Sequence, residues 1–302
     1  MMQVNRDTQR DLIGIAWMLA AGLCFVAVNG IVRGLGGALP ASQSAFIRFL
    51  FGLAFLIPVL VPALRQGFSP QVWRLFGLRG ALHVLAVIAW FYAMSRIPVA
   101  EVTAIGFLNP IVVAVGAALF MGERLAARRI AAVCVALIGA LIVLRPGARE
   151  LDPGHLSQVL ASVTFGTSYL VAKRLSEQVP AAVVVAMLSL MVTAGLAPLA
   201  WAVWVPPTLA QTGWLGLVAV FATLGHYSMT RAFAAAPLTV TQPVTFLQLI
   251  WASLLGAFVF HEPLDGWVLL GGALMIGAIT YITWREARLR AVVTPPAGIV
   301  RG

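Results

Sequence analysis

Residues 99–144 have the sequence VAEVTAIGFLNPIVVAVGAALFMGERLAARRIAAVCVALIGALIVL, two apolar segments joined by the polar stretch GERLAARR at 122–129. The parts at 111–121 and 130–144 carry no charge and show no polar–apolar alternation. A bilayer core of about 30 Å takes about 20 helical residues to cross, whereas a barrel strand needs about ten alternating residues. Each segment is therefore predicted to be a membrane-spanning helix, which satisfies its own backbone hydrogen bonds in lipid.

The same pattern continues along the whole chain of 302 residues, of which 61% are hydrophobic and only 10% charged. That composition leaves too little polar surface for a soluble domain. We predict an all-α polytopic membrane protein with ten transmembrane helices, at 12–32, 43–64, 72–95, 99–121, 126–144, 155–173, 181–204, 211–233, 239–260 and 266–284.

Arginine and lysine are distributed unevenly among the joints between these spans. If the N-terminus is cytoplasmic, 15 of the 20 lie on the inner side and four on the outer side, and Arg48 lies within a span. This positive-inside asymmetry predicts that both termini are cytoplasmic. It also explains the net charge of +10 as a topology signal, so we predict no nucleic-acid partner.

The chain contains an internal duplication. A shift of 139 residues lays 91–125 on 230–264, and eight of the 35 positions match, including Pro98 with Pro237 and Glu123 with Glu262. We predict a first five-helix repeat at 1–147, a second at 148–290 and a cytoplasmic tail at 291–302. An odd number of spans inverts the second repeat in the membrane, a device that recurs in secondary transporters.

Short motifs in both halves resemble the EamA repeat of the drug/metabolite transporter superfamily. They are Asn109-Pro110, the sequence MGERL at 121–125 and Gly139 in the first copy, HEPL at 261–264 with Gly271, Gly272 and Gly277 in the second, and Trp17 and Arg48-Phe49. The layout is most similar to bacterial exporters of aromatic and other neutral amino acids. The resemblance implies a multi-pass transporter of the bacterial inner membrane. Leu249 replaces the proline expected in the second copy, so the kink at Pro110 is expected in one half only.

Two amide side chains are candidates for binding substrate. Thr245 and Gln248 lie on one stripe of the ninth span, and the 139-residue shift places Asn109 at the position that matches Gln248. A facing pair of amides would hydrogen-bond the carboxylate and amine of a zwitterion. The alternative is that these amides hold helices together, as polar side chains in membranes often do.

Ring-bearing residues within spans extend the predicted substrate site. Histidine and tryptophan on one helix face form a wall for a planar ring, although both also occur at membrane interfaces and in helix cores. The complete predicted set is Trp17, His83, Trp90, Asn109, His226, Tyr227, Thr245, Gln248 and Trp251.

Four further residues are predicted to be structural or gating elements. Arg48 is expected to reach the interface or to pair with a carbonyl or a substrate carboxylate. Pro110 interrupts a helix and frees a carbonyl near Gly106. Glu123 and Glu262 lie where one span ends and the next begins, which favours capping of the following helix over a gating ion pair.

The remaining motifs limit the function classes. All ten acidic residues lie in a tail, in a joint or at a span end, so ion coupling would need a histidine, Glu101 or no carboxylate. The four histidines and two cysteines lack metal-site spacing, and no nucleotide-binding loop is present, so we predict no metal, no cofactor and no enzyme. An intramembrane enzyme and a channel are the alternatives from other classes.

We therefore predict a secondary transporter, expected to be monomeric in the lipid bilayer, that exports small amphipathic metabolites by alternating access. Neutral or aromatic amino acids are the expected substrates. A multidrug exporter of the same superfamily is the alternative within this class, although it would require a buried glutamate for its cationic substrate.

Overall fold

The structure is a computed structural model, and it describes residues 2–120, 127–148, 150–176, 178–236, 241, 244–245 and 247–293. These residues are almost entirely helical. The helices are α1 Met2–Leu35, α2 Ala41–Gln66, α3 Pro70–Arg96, α4 Val99–Gly106, α5 Leu108–Phe120, α6 Ala127–Leu144, α7 Pro153–Ser176, α8 Ala181–Ala202, α9 Leu209–Ala235, α10 Leu247–Val259 and α11 Gly266–Val293.

Five segments of the described chain are long and apolar enough to cross a membrane: Gln9–Leu35, Ala41–Gln66, Pro70–Arg96, Ala181–Ala202 and Leu209–Ala232. Four shorter apolar segments accompany them: Val99–Val113, Val133–Leu144, Leu247–Val259 and Gly266–Ala278. Helix α7 belongs to neither group because hydroxyl and amide side chains lower its hydropathy. Several of these, including Gln158, Ser162, Thr164 and Ser168, are buried in the bundle.

The helix boundaries repeat with the offset found in the sequence. Adding 139 to the ends of α3 gives the ends of α9, and adding 139 to the ends of α5 gives those of α10. The first residues of α6 and α11, Ala127 and Gly266, also differ by 139. The duplication therefore extends from residue identities to the lengths of the helices.

Helices from the two repeats pair with each other. The most extensive contacts in the described chain are α3 with α7, α1 with α9, α6 with α11 and α2 with α8. The 139-residue shift relates α1 to α7 and α3 to α9. The α1–α9 and α3–α7 pairs therefore correspond to each other, as a two-fold relation between the repeats requires. The hydrophobic core therefore lies mainly between the two halves.

Glycines permit the closest of these pairings. A Cβ added at Gly139 in α6 would lie 2.7 Å from the Gly271 carbonyl oxygen of α11 and 2.9 Å from Met275. Small residues at helix contacts let backbones approach in membranes, where dispersion drives packing. Gly139, Gly271 and Gly272 of the EamA-like motif thus have a packing role, whereas an added Cβ at Gly277 meets no atom within 4 Å.

The variant Gly139→Ala is expected to destabilise the protein by about 1–3 kcal/mol, since a methyl group cannot enter this contact without moving backbone. The unfolding midpoint of the purified protein in detergent is the measurement. The control is Gly77→Ala in α3, where an added Cβ meets no atom within 4 Å. Equal midpoints for the two variants would contradict the packing role.

Candidate functional site

A small cleft lies between α2 of the first repeat and α8 and α9 of the second. It holds about 270 Å³ of atom-free space, part of it open to the surroundings. Its walls are Arg48, Phe49, Gly52, Val185, Leu188, Ser189, Ala219, Thr223 and His226. The part of that space that a water-sized sphere can enter is only about 10 Å³, about enough for one water molecule, so in this conformation the cleft must widen before it can hold a metabolite.

Arg48 supplies the charge of the cleft. It lies seven residues into α2, about 10 Å along the helix, and it is only 8% exposed. Its guanidinium carbon stacks 4.0 Å from the ring centre of Phe49. Within the described chain it has no hydrogen-bond or ion-pair partner. Among the described residues it therefore neither pairs with a backbone carbonyl nor reaches the surface.

Two histidines lie beside this guanidinium. The rings of His83 and His226 are 6.2 Å apart, and His83 also meets Phe49 edge-on at 5.9 Å and Phe165 at 5.0 Å. The Nδ1 atom of His83 lies 3.3 Å from the Ser168 hydroxyl, which fixes the orientation of this buried ring. Two of the predicted binding residues, His83 and His226, thus lie next to each other beside the cleft.

A second buried guanidinium, Arg79, lies nearby and differs in its bonding. Its Nη1 donates to the Val184 carbonyl of α8 at 2.9 Å, while its Nε is buried without a partner. Tyr169 is in electrostatic range of both Arg48 and Arg79. No carboxylate lines the cleft. An arginine within a span costs about 2.5–3.5 kcal/mol on the insertion scale, so such charges usually serve function.

The other predicted ring residues lie away from the cleft. Trp17 meets Tyr227 edge-on at 6.1 Å, and the Arg231 guanidinium lies 5.1 Å from the Trp17 ring. Trp90 packs against the core beside Phe91, and Trp251 is 43% exposed. Tyr227 is 38% exposed, and Thr245 is partly buried. The structure therefore brings the predicted ring residues together as two separate pairs, His83 with His226 beside the cleft and Trp17 with Tyr227 away from it.

The two predicted amides make separate contacts. The Asn109 backbone carbonyl lies against Gly166 of α7, and its Oδ1 is buried without a hydrogen bond. The Gln248 side chain lies against Gly22 of α1. No hydrogen bond joins the two amides among the described residues, and a pair that faces one substrate stays a prediction. Each amide occupies an interface between the two repeats.

The helix break predicted from Pro110 is present. Helix α4 ends at Gly106, Phe107 forms a turn and α5 begins at Leu108. At the break, the Ser162 hydroxyl of α7 donates to the Ile105 carbonyl at 3.1 Å. A neighbouring helix therefore satisfies a carbonyl at the point where we expected one to be available for an ammonium group.

Glu262 contacts a different helix from the one predicted. Its Oε2 accepts the backbone N–H of Val99 at the start of α4, at 3.0 Å, and its Oε1 forms an ion pair of 2.8 Å with Arg33 Nε at the end of α1. The expected capping of the following helix is wrong, because Asp265 accepts the Trp267 N–H there. Glu123, its counterpart in the first repeat, lies outside the described residues.

Several more polar contacts join the two repeats at the end of the bundle where α1 ends, which we name the Arg33 end. The Gln43 amide donates to the Val205 carbonyl at 2.6 Å and accepts the Val205 N–H at 2.9 Å. The remaining pairs are His155 with Glu101 at 2.7 Å, Arg96 with Asp152 at 2.9 Å, and Arg145 with Asp265. The hydrogen bond from Arg96 holds the pKa of Asp152 below its usual value.

Sequence reasoning missed several residues of this region. Ser189 and Thr223 were detectable as hydroxyls within apolar spans, but no spacing connected them to Arg48. Arg79 was counted among the inner-side charges, although it lies well inside α3. Gly52 shows its importance only in three dimensions, since it keeps space open opposite Ser189 and Thr223.

Comparisons with known proteins agree with this architecture. The family model described as the EamA-like transporter family matches residues 12–145 and 152–284. A riboflavin transporter of Rhizobium johnstonii is 31% identical over 93% of this chain and 94% of its own. An S-adenosylmethionine uptake transporter of Rickettsia bellii is 28% identical over 91% and 95%, and a pseudopaline exporter of Pseudomonas aeruginosa is 27% identical over 88% and 94%.

A solved crystal structure shares the fold with a TM-score of 0.61, at 20% identity over 93% of this chain and 99% of its own. None of the three named relatives is described as an amino acid exporter, so the narrower resemblance found in the sequence is not supported by them. The family model covers both repeats and nearly all of the chain. This chain is a membrane transporter, not an enzyme, and belongs to the EamA-like transporter family of the drug/metabolite transporter superfamily.

Proposed function

We propose that this protein is a secondary transporter that moves small amphipathic metabolites by alternating access. Its central binding site is the cleft between α2, α8 and α9, which we name the Arg48 cleft. The observation that carries the proposal is that both repeats contribute walls to one cleft within the span region. A site between two repeats can open to either side when the repeats move against each other.

The proposed arrangement has ten spans as two inverted repeats, both termini in the cytoplasm and the Arg33 end outside. The matching helix offsets and the uneven distribution of arginine support it. In this conformation the two repeats are held together by polar contacts at the Arg33 end. The proposed cycle therefore requires these contacts to break when the cleft opens outward.

The proposed substrates are neutral or aromatic amino acids, and the proposed direction is export from the bacterial cytoplasm. His226 offers an aromatic ring in the cleft wall to a planar ligand, while Ser189 and Thr223 offer hydroxyls. A flavin is the second candidate, because a riboflavin transporter is 31% identical to this chain.

The test is counterflow in proteoliposomes that contain the purified protein. Liposomes loaded with unlabelled phenylalanine, tryptophan, leucine or riboflavin are diluted into the labelled compound, and transient accumulation is measured. Accumulation of a labelled amino acid supports the proposal, and accumulation of riboflavin alone would favour the second candidate. No exchange of any of the four compounds would contradict the substrate proposal.

Asn109→Ala and Gln248→Ala are each expected to slow this exchange several-fold without lowering the unfolding midpoint. For Asn109 the reason is that its buried Oδ1 has no partner, so its removal leaves no new unpaired group. Gln178→Ala, which removes an exposed amide that donates to the Arg174 carbonyl four residues earlier, is the control. Wild-type exchange kinetics in both variants would assign the two amides to helix packing.

A further inference from the structure

We infer that Arg48 binds the carboxylate of the transported metabolite, so that the carrier selects organic acids and zwitterions over uncharged or purely cationic analogues. The inference rests on the proposed function, since it assumes that the Arg48 cleft is the transport site.

The first argument is the missing counter-charge. Arginine keeps its proton in proteins, so the Arg48 guanidinium is a permanent cation. Buried charges are normally paired, yet no carboxylate and no hydrogen-bond acceptor contacts Arg48 among the described residues. A permanent cation that lines an open cleft and lacks an internal partner is built to receive an anion from outside the protein.

The second argument is the contrast with Arg79. Both guanidiniums are buried, but Arg79 donates to the Val184 carbonyl and does not line the cleft. Arg79 thus joins α3 to α8, and this bond gives it a structural function. The same explanation is not open to Arg48, which has no such bond.

The third argument is orientation. The Arg48 guanidinium carbon lies 4.0 Å from the Phe49 ring centre, a cation–π contact that restrains the group, while its N–H donors stay free of acceptors among the described residues. A planar guanidinium donates two parallel hydrogen bonds to a carboxylate, which gives both affinity and direction. The Ser189 and Thr223 hydroxyls and the His226 ring share the same walls and face the rest of the ligand.

The enclosure of Arg48 favours a carboxylate on a small molecule over a lipid phosphate. In this conformation the cavity volume is about 10 Å³, about one water molecule, so ligand binding requires the cleft to widen. A lipid phosphate is the competing source of an anion, because Arg48 lies only about 10 Å from the start of α2. Its burial to 8% exposure favours a ligand enclosed by α2, α8 and α9 over a headgroup at the surface.

The experiment measures binding separately from transport. Full-length protein in an uncharged detergent is titrated with 3-phenylpropionate and L-phenylalanine, and with the uncharged 3-phenylpropionamide and cationic L-phenylalaninamide as their matched amides. The readout is the rise in unfolding midpoint as a function of concentration. Parallel titrations use inorganic phosphate and phosphatidylglycerol.

We expect the acids to stabilise the protein and the amides to bind roughly 10- to 100-fold more weakly, as for the loss of a charge-assisted hydrogen bond. Arg48→Gln should remove the difference between acid and amide, whereas Arg48→Lys should retain part of it. The acid–amide comparison in the wild type needs no variant, so it remains decisive if Arg48→Gln does not fold.

Equal binding of acids and amides to the wild type would overturn the inference, as would stabilisation by phosphatidylglycerol alone. Unchanged discrimination in a folded Arg48→Gln variant would do the same. The outcomes separate the two proposals. Counterflow that persists unchanged in Arg48→Gln leaves the transporter proposal standing and rejects the role of Arg48, while acid-selective binding without exchange of any tested compound rejects the substrate proposal alone.

Discussion

Gly52→Leu is expected to reduce counterflow to below about a tenth of the wild-type rate without unfolding the protein. A Cβ at this position would lie 3.6 Å from the Thr223 hydroxyl and 3.8 Å from the Ser189 hydroxyl, which are ordinary contact distances. The first added carbon therefore fits, whereas the remainder of a leucine side chain exceeds the cavity volume of about 10 Å³, overpacks the cleft at a cost of about 1–3 kcal/mol and leaves no room for a ligand.

The smaller change Gly52→Ala separates the two effects of filling this position. Alanine is favoured over glycine in a helix by about 1 kcal/mol, so the unfolding midpoint should stay level or rise while exchange slows several-fold. Gly77→Leu and Gly77→Ala in α3 are the matched controls, because an added Cβ there meets open space. Exchange at the wild-type rate in Gly52→Leu would show that the cleft is not on the transport path.

Glu262→Gln is expected to open the Arg33 end of the bundle more often, with roughly tenfold faster labelling of a cysteine placed at Val32. The glutamine amide retains an oxygen that accepts the Val99 N–H, but it cannot form the ion pair with Arg33. The Glu262 side chain in that pair is 9% exposed. A partly buried pair is worth more than a solvent-exposed one, and about 1.4 kcal/mol changes a population tenfold.

The measurement uses a membrane-impermeant maleimide on a variant in which Cys24 and Cys134 are replaced by alanine and buried Val32 by cysteine. The control is Asp152→Asn, which weakens the exposed pair with Arg96, whose side chains are 43% and 35% exposed. Exposed pairs contribute about 0–1 kcal/mol, so this variant should label less than about fivefold faster. Similar labelling in both variants would reject a gating role for Glu262.

Features that depend on periodicity were predictable from the sequence. The apolar segments, the duplication at 139 residues and the break at Pro110 each have a local physical cause, and the helices reproduce them. The family resemblance carried by the motifs around Asn109, Glu123 and Glu262 is confirmed by the family match across both repeats.

The site was less predictable because it depends on which helices pair. Arg48 and His226 are 178 positions apart, and neither the residues around them nor any regular spacing in the sequence shows that the two share a cleft. Glu262 was expected to cap the next helix along the chain, but the pairing of the repeats presents it to α4 instead. Tryptophan is a residue type common in pockets, yet the side chain of Trp251 is exposed on the surface of the bundle.

The pairing of α1 with α9, α3 with α7 and α6 with α11 has a consequence for biosynthesis. As the chain leaves the ribosome, the helices of the first repeat, α1 to α6, enter the bilayer before their main neighbours in the second repeat exist. Until the later helices arrive, the helix faces around Arg48 and Gly139 remain exposed to lipid. In that state the chain is a substrate for quality-control proteases. Two half-length polypeptides should therefore accumulate in cells only when both are produced together.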